Sequence, residues 1–139
     1  MPTSFTPNAN PAARTLRVLY AEDLPELREL MRLVLRRDGH TLESCEDGSL
    51  AYARLLHGPQ DFDLLLTDHH MPVMNGLELV RRVRQTAYAG RIVVFSSELD
   101  PAVQEAYEAL KVDRVLSKPV LPMELRRTVN ELFPAAPVA

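Results

Sequence analysis

Residues 63–68 read Asp-Leu-Leu-Leu-Thr-Asp, a short run that is almost wholly apolar and then ends on an acid. Such near-continuous apolar character over so few residues is expected of a central parallel strand, covered by helices on both faces. Three similar runs lie on either side of it: Val18-Leu19-Tyr20-Ala21 before Glu22-Asp23, Ile92-Val93-Val94-Phe95 before Ser96, and Val115-Leu116-Ser117 before Lys118. If these runs are parallel strands of one sheet, their carboxyl ends lie side by side, where open α/β sheets place their ligand crevice. Three carboxylates, a hydroxyl and an ammonium then converge. No packing requirement gathers such a set, because like charges repel and burial disfavours a carboxylate that no cation answers. The set reads as a site.

Helical patterns separate the runs. Leu27, Leu30, Met31, Val34 and Leu35 recur at helical spacing, with Pro25 near the start, Arg36 and Arg37 in the last turn and Gly39 beyond, which predicts a helix over 25–37. A second strand at Thr41–Cys45 leads to Asp47-Gly48-Ser49, where a capping side chain opens a helix expected to carry Leu50, Ala53 and Leu56. Asn75-Gly76 turns before Leu77, Val80 and Val83, and Asp100-Pro101 reads as N-cap and first residue of a helix through Leu110. A short fifth strand ends at Lys118-Pro119, and Leu121, Leu125, Val129 and Leu132 mark a closing helix. Five strand–helix alternations predict an α/β fold, a doubly wound parallel sheet with right-handed crossovers and helices on both faces. Residues 1–14 hold three prolines and no apolar period, and 134–139 are similar. The expected division is a flexible lead-in over 1–14, one folded domain over 15–133 and a flexible tail over 134–139.

At 139 residues, 46% hydrophobic and 25% charged, the chain fits one soluble domain with a single core. Its formal net charge of -3, with 16 Lys and Arg among 19 Asp and Glu, gives no basic field for nucleic acid. The lone cysteine, Cys45, excludes an internal disulfide and fits a reducing cytoplasm. No stretch approaches the roughly 18 apolar residues of a membrane span, and the uncharged start does not resemble a basic signal peptide.

Glu22, Asp23 and Asp68 offer hard oxygen ligands while Cys45 and the adjacent histidines form no soft cage, so Mg²⁺ is the natural counter-ion. Lys118 adds a point positive charge and Ser96 a small donor. Together they describe phosphoryl transfer to a carboxylate, with Asp68 as nucleophile. Taken singly, Glu22 or Asp23 would do no more than cap the first helix, and Lys118 would be a surface lysine; the joint pattern carries the functional reading. His69 and His70 point opposite ways in an extended segment and have no third ligand at suitable spacing, so metal ligation by their side chains is not expected. His69 reads as loop surface and His70 as bordering the site. Leu33 reads as a single exposed leucine on the charged side of the first helix.

These motifs, over residues 16–133, resemble the receiver domain of a two-component response regulator: the acidic pair Glu22-Asp23, the acceptor in Leu-Leu-Leu-Thr-Asp68-His-His-Met-Pro-Val-Met-Asn-Gly76, the hydroxyl of Ser96, and Lys118-Pro119. The resemblance implies a flavodoxin-like sheet of five strands in order 2-1-3-4-5 flanked by five helices. It implies that a sensor histidine kinase or histidine phosphotransfer protein donates phosphate to Asp68, in a self-catalysed transfer with later autodephosphorylation and no other enzymatic activity. It further implies that Asp23, Asp68 and the backbone carbonyl of His70 hold Mg²⁺ directly, that Glu22 acts through water, and that the Lys118-Pro119 bond is cis. His70 and Glu98 then flank the phosphate and influence its lifetime, while the small Ser97 leaves the acceptor accessible.

Two positions depart from that pattern. Val115 stands where the family usually carries an aromatic that turns inward, so the expected readout is a backbone and packing shift near the fourth helix and fifth strand. Lys111 stands where a glycine commonly precedes the fifth strand. Only about one helix remains after Lys118, so the expected output is contact with an unidentified downstream protein, with no direct nucleic-acid or membrane binding; a homodimer through the last two elements has no residue arguing for it. Among rivals, a phosphatase of the haloacid dehalogenase type wants a second aspartate where His70 stands. A flavodoxin-like cofactor binder wants hydroxyls and glycine where Glu22-Asp23 would repel phosphate. A phosphorylation-independent scaffold leaves the intact acceptor site without a purpose.

Overall fold

Side chains alternate between the two faces of a strand, so an unbroken apolar run needs a hydrophobic layer on each side. The computed structural model, which describes residues 14–98 and 100–134, provides both layers. In chain order the elements are β1 (Arg17–Ala21), α1 (Pro25–Arg36), β2 (Thr41–Cys45), α2 (Gly48–His57), β3 (Leu64–Asp68), α3 (Gly76–Val83), β4 (Arg91–Ser96), α4 (Pro101–Ala109), β5 (Arg114–Ser117) and α5 (Pro122–Leu132). All strand pairs are parallel and the order is β2-β1-β3-β4-β5, the expected doubly wound α/β sheet. The lead-in expected over 1–14 falls, except for Arg14, outside the described residues, as does the tail beyond Pro134.

Strand parity sorts the core. Val18, Tyr20, Leu64, Leu66, Val93 and Phe95 pack with Met31, Val34 and Leu35 of α1 and Leu125 and Val129 of α5. Their neighbours Leu19, Leu65, Ile92 and Val94 pack with Ala51, Leu55, Leu79, Val80 and Tyr107 from α2, α3 and α4. Every residue of β3 is buried, whereas the edge strands β2 and β5 are mostly exposed or half-buried. Asp47, Asn75 and Asp100 cap α2, α3 and α4, each accepting a backbone N–H at 2.9 Å.

The buried face of α2 differs from expectation. Gly48, Ala51 and Leu55 face the sheet, while Leu50 and Leu56 are 49% and 53% exposed and Ala53 is also exposed. A spacing of three, repeated, drifts by about 120° around a helix over two steps, so Leu50, Ala53 and Leu56 cannot share one narrow stripe. Close approach favours the other stripe: a Cβ on Gly48 would lie 2.6 Å from the Met74 carbonyl oxygen. Leu30 of α1 is likewise 41% exposed, beside the exposed Leu33, and Leu121 precedes α5 as an exposed N-cap.

At the end of α4, Lys111 adopts the left-handed conformation with φ 58°. Arg84 spans the turn, donating to the Leu110 and Lys111 carbonyls at 2.7 and 2.8 Å. A side chain in that conformation costs about 1–2 kcal/mol, which glycine avoids, although glycine also gains freedom in the unfolded chain. Lys111→Gly is therefore expected to raise stability by about 0.5–1 kcal/mol in urea denaturation. An unchanged or lower midpoint would contradict this reading of the turn.

Candidate functional site

Register brings the motifs together. Ala21 pairs with Thr67, so Glu22 leaves β1 beside Asp68; Asp68 pairs with Phe95, one residue before Ser96; Ser96 pairs with Ser117, one residue before Lys118. Carboxylate oxygens of Glu22, Asp23 and Asp68 lie within 4.8 Å of one another. Glu22 and Asp68 are buried and Asp23 is half-buried. One ammonium answers them: Lys118 Nζ is 2.6 Å from Asp68 Oδ1 and 3.9 Å from Glu22 Oε1.

Among the described residues Lys118 is the cationic partner of the buried Asp68 Oδ1, and no further donor reaches that oxygen. A buried carboxylate oxygen in that condition calls for a further positive partner. The donors nearby are all carboxylate oxygens, a set that suits a hard divalent cation such as Mg²⁺.

Glu22 accepts three hydrogen bonds. Its Oε1 accepts from the Tyr20 hydroxyl at 3.2 Å, its Oε2 accepts from the Leu24 N–H at 3.2 Å, and its backbone carbonyl accepts from Arg28 at 2.8 Å. Burial, aided by the neighbouring carboxylates of Asp68 and Asp23, pushes the Glu22 carboxyl from its ordinary 4.5 up to about 7; the Leu24 N–H and Lys118 oppose the rise.

Beyond Asp68, the chain folds back against the strand end. His69 N–H donates to the Phe95 carbonyl and Gly76 N–H donates to the His69 carbonyl, both at 2.9 Å. Only glycine fits at 76, where a Cβ would sit 2.5 Å from the Asp68 carbonyl oxygen. His69 is not loop surface as expected: it is 6% exposed, with Nδ1 2.6 Å from the Tyr107 hydroxyl. Strand parity explains the correction, because His69 continues the Leu65, Thr67 side of β3 and so lies over the layer that contains Tyr107. Burial, with His70 beside it, pushes its imidazole below the ordinary histidine value. His70 is exposed, its ring edge-on to His69 at 4.7 Å.

The remaining expected residues lie on β4, on β5 and in the loop after β4. The Ser96 hydroxyl, buried, accepts from the Glu98 N–H at 2.9 Å, and a Glu98 carboxylate oxygen accepts from the Asp100 N–H at 3.0 Å. Ser97 is exposed and Val115 is half-buried against the second core layer. The Lys118-Pro119 bond is cis. Tyr20, Arg28 and Tyr107 were not among the expected site residues. Tyr20 carried a legible signal: a tyrosine in an otherwise aliphatic run must find its hydroxyl a partner, and Glu22 stands two residues on, on the same face. Tyr107 acts across 38 residues and Arg28 on a backbone carbonyl six residues earlier, and neither carried such a signal.

Carboxylates at the point between β1 and β3 where the strand order reverses define a doubly wound α/β domain with an acidic crevice at its switch point. The family model of the response regulator receiver domain matches residues 18–130, and the chain belongs to that family. The response regulator receiver protein CpdR of Brucella abortus is 35% identical over 116 residues, covering 84% of this chain and 92% of CpdR. The sensor histidine kinase AruS of Pseudomonas aeruginosa is 37% identical over 126 residues, 88% of this chain, which thus spans only 12% of AruS. The gliding motility regulatory protein of Myxococcus xanthus is also spanned over only 12% of its length. Among solved structures, the chemotaxis response regulator CheY4 of Vibrio cholerae superposes with a TM-score of 0.78 at 27% identity, covering 86% of this chain and 100% of that one. TrrA of Thermotoga maritima, solved in complex with Mg²⁺-BeF, gives 0.74 at 26% identity, covering 84% and 98%. Among the described residues no helix is long and apolar enough to cross a membrane.

The raised Glu22 carboxyl has a signed consequence for the metal-free chain. Below pH 4.5 the group is protonated folded or unfolded; between 4.5 and about 7 the unfolded chain gives up the proton first, so its contribution to stability falls as pH rises and levels off above 7. Glu22→Gln is expected to remove that fall. Urea denaturation in chelator should show the variant gaining on the wild type across this window; a pH-independent difference would contradict it.

Proposed function

We propose that this receiver domain is a phosphoacceptor in two-component phosphorelay signalling, phosphorylated on Asp68. The observation that carries the reading is the Asp68 carboxylate, buried at the end of a central strand, 2.6 Å from Lys118 and grouped within 4.8 Å with carboxylate oxygens of Glu22 and Asp23. Packing alone gives no reason to gather two further carboxylates around a buried aspartate. This one is poised to take on another group.

In the reaction, an Asp68 oxygen attacks phosphorus in a phosphohistidine. The O–P bond forms as the P–N bond breaks, the bonding pair leaves with the imidazole nitrogen, and solvent supplies its proton. Phosphoryl transfer of this kind needs positioning and charge stabilisation more than covalent chemistry from the protein. Lys118 Nζ, already on Asp68 Oδ1, moves onto a phosphoryl oxygen. Glu22, Asp23, Asp68 and the His70 carbonyl are the groups that would hold Mg²⁺, which when bound supplies positive charge to the phosphoryl oxygens. Ser96 gives up the Glu98 N–H and turns its hydroxyl toward the phosphate, drawing the following loop with it. Ser97, Glu98 and His70 line the approach of water and set the phosphate lifetime. With Val115 in place of an aromatic, the change reaches the surface as a backbone and packing shift around α4 and β5.

A sensor histidine kinase or a histidine phosphotransfer protein is the donor we propose; the kinase AruS, which contains a segment similar to this chain, supports that pairing. The output is contact with a further protein in the cytoplasm. Incubation with Mg²⁺ and acetyl phosphate followed by intact mass measurement should show a gain of one phosphoryl group in the wild type and none in Asp68→Asn. Lys118→Ala should slow the gain by on the order of a hundredfold. No gain in the folded wild type, or an equal gain in Asp68→Asn, would overturn the reading.

A further inference from the structure

We propose that Tyr20 is a positioning residue for the acidic crevice: its hydroxyl fixes the Glu22 carboxylate toward the metal position and keeps Glu22 from drawing Lys118 away from Asp68. The inference rests on the phosphoacceptor reading and adds a residue to it.

Tyr20 lies in a central strand and is completely buried. Its ring meets Phe95 edge to face, with centroids 5.8 Å apart, and a phenylalanine would fill the same space. Packing therefore accounts for the ring and leaves the hydroxyl unexplained. A buried hydroxyl is costly without a partner, and the one it has is Glu22 Oε1 at 3.2 Å. Strand alternation favours this meeting, because residues two apart share a face and Glu22 directly follows β1.

Glutamate reaches further than aspartate by one methylene and has one more rotatable bond to hold. Here both carboxylate oxygens are held, Oε1 by Tyr20 and Oε2 by the Leu24 N–H at 3.2 Å. With Oε1 answered, Lys118 Nζ stays 3.9 Å from Glu22 and closes to 2.6 Å on Asp68. Without the hydroxyl, Oε1 is a buried oxygen whose remaining donor within reach is Lys118. The lysine is then shared between two carboxylates and Glu22 is free to swing. Both changes weaken the crevice for a divalent cation, and the second takes positive charge off the acceptor.

The test is calorimetric titration of Mg²⁺ into the full chain, without phosphodonor, for the wild type, Tyr20→Phe, Glu22→Asp and the double variant, each checked for its fold by far-ultraviolet dichroism and thermal melting. Tyr20→Phe should weaken Mg²⁺ binding by about tenfold, the scale on which groups that orient metal ligands act. In the Glu22→Asp chain, whose shorter arm falls short of the hydroxyl, adding Tyr20→Phe should change affinity by less than about twofold, which isolates the pair. In acetyl phosphate assays Tyr20→Phe should raise the Mg²⁺ concentration needed for half-maximal phosphorylation. Equal Mg²⁺ affinity in wild type and Tyr20→Phe, or an equal loss in both backgrounds, overturns the inference and leaves the phosphoacceptor reading standing. A wild type that binds no Mg²⁺ overturns that reading, and the inference with it.

Discussion

Three carboxylates held within 4.8 Å against a single ammonium are the constraint on which the rest of the molecule depends. Like unit charges about 4 Å apart repel by about 4 kcal/mol at an effective dielectric near 20, so the cluster is unfavourable by itself. Two of its members are buried, which raises the cost further and shows in the upward displacement of the Glu22 carboxyl. The fold tolerates this because β1 and β3 are locked by register in the sheet centre, with an apolar layer on either side. An unfavourable arrangement kept in place by a rigid frame is what the proposed site for a cation and a phosphoryl group requires.

The same frame links Asp68 to α4. His69 follows Asp68 directly and is hydrogen-bonded to Tyr107 of α4, while Ser96 holds the start of the loop that leads into α4. Two routes thus run from the crevice to one helix, and neither uses Val115. The first reaches α4 in its last turn and the second at its start, and Arg84 clamps the turn after the helix through the Leu110 and Lys111 carbonyls.

Much of this was legible in the amino-acid order because it depends on strand periodicity and on what lies at strand ends. Leu64 to Asp68 announced a central strand, and the polar residues after each run announced a crevice at the carboxyl edge. Features that depend on helix rotation or on long-range neighbours were not. The buried stripe of α2 was misread because Leu50 and Leu56 look more hydrophobic than Ala51, while close approach at Gly48 decides which side faces the sheet. His69 was misplaced because its burial depends on Tyr107, 38 residues away. The left-handed turn at Lys111 was visible only as a departure from a familiar glycine.

The central claim is that one particular carboxylate takes the phosphoryl group, and a chemical map of the modified chain tests it most directly. An aspartyl phosphate is reduced by borohydride to homoserine, which peptide mass mapping locates to a single residue. After treatment with Mg²⁺ and acetyl phosphate, the account predicts homoserine at position 68 and nowhere else. Homoserine at position 23, or none anywhere in a chain that has gained phosphate, would contradict it.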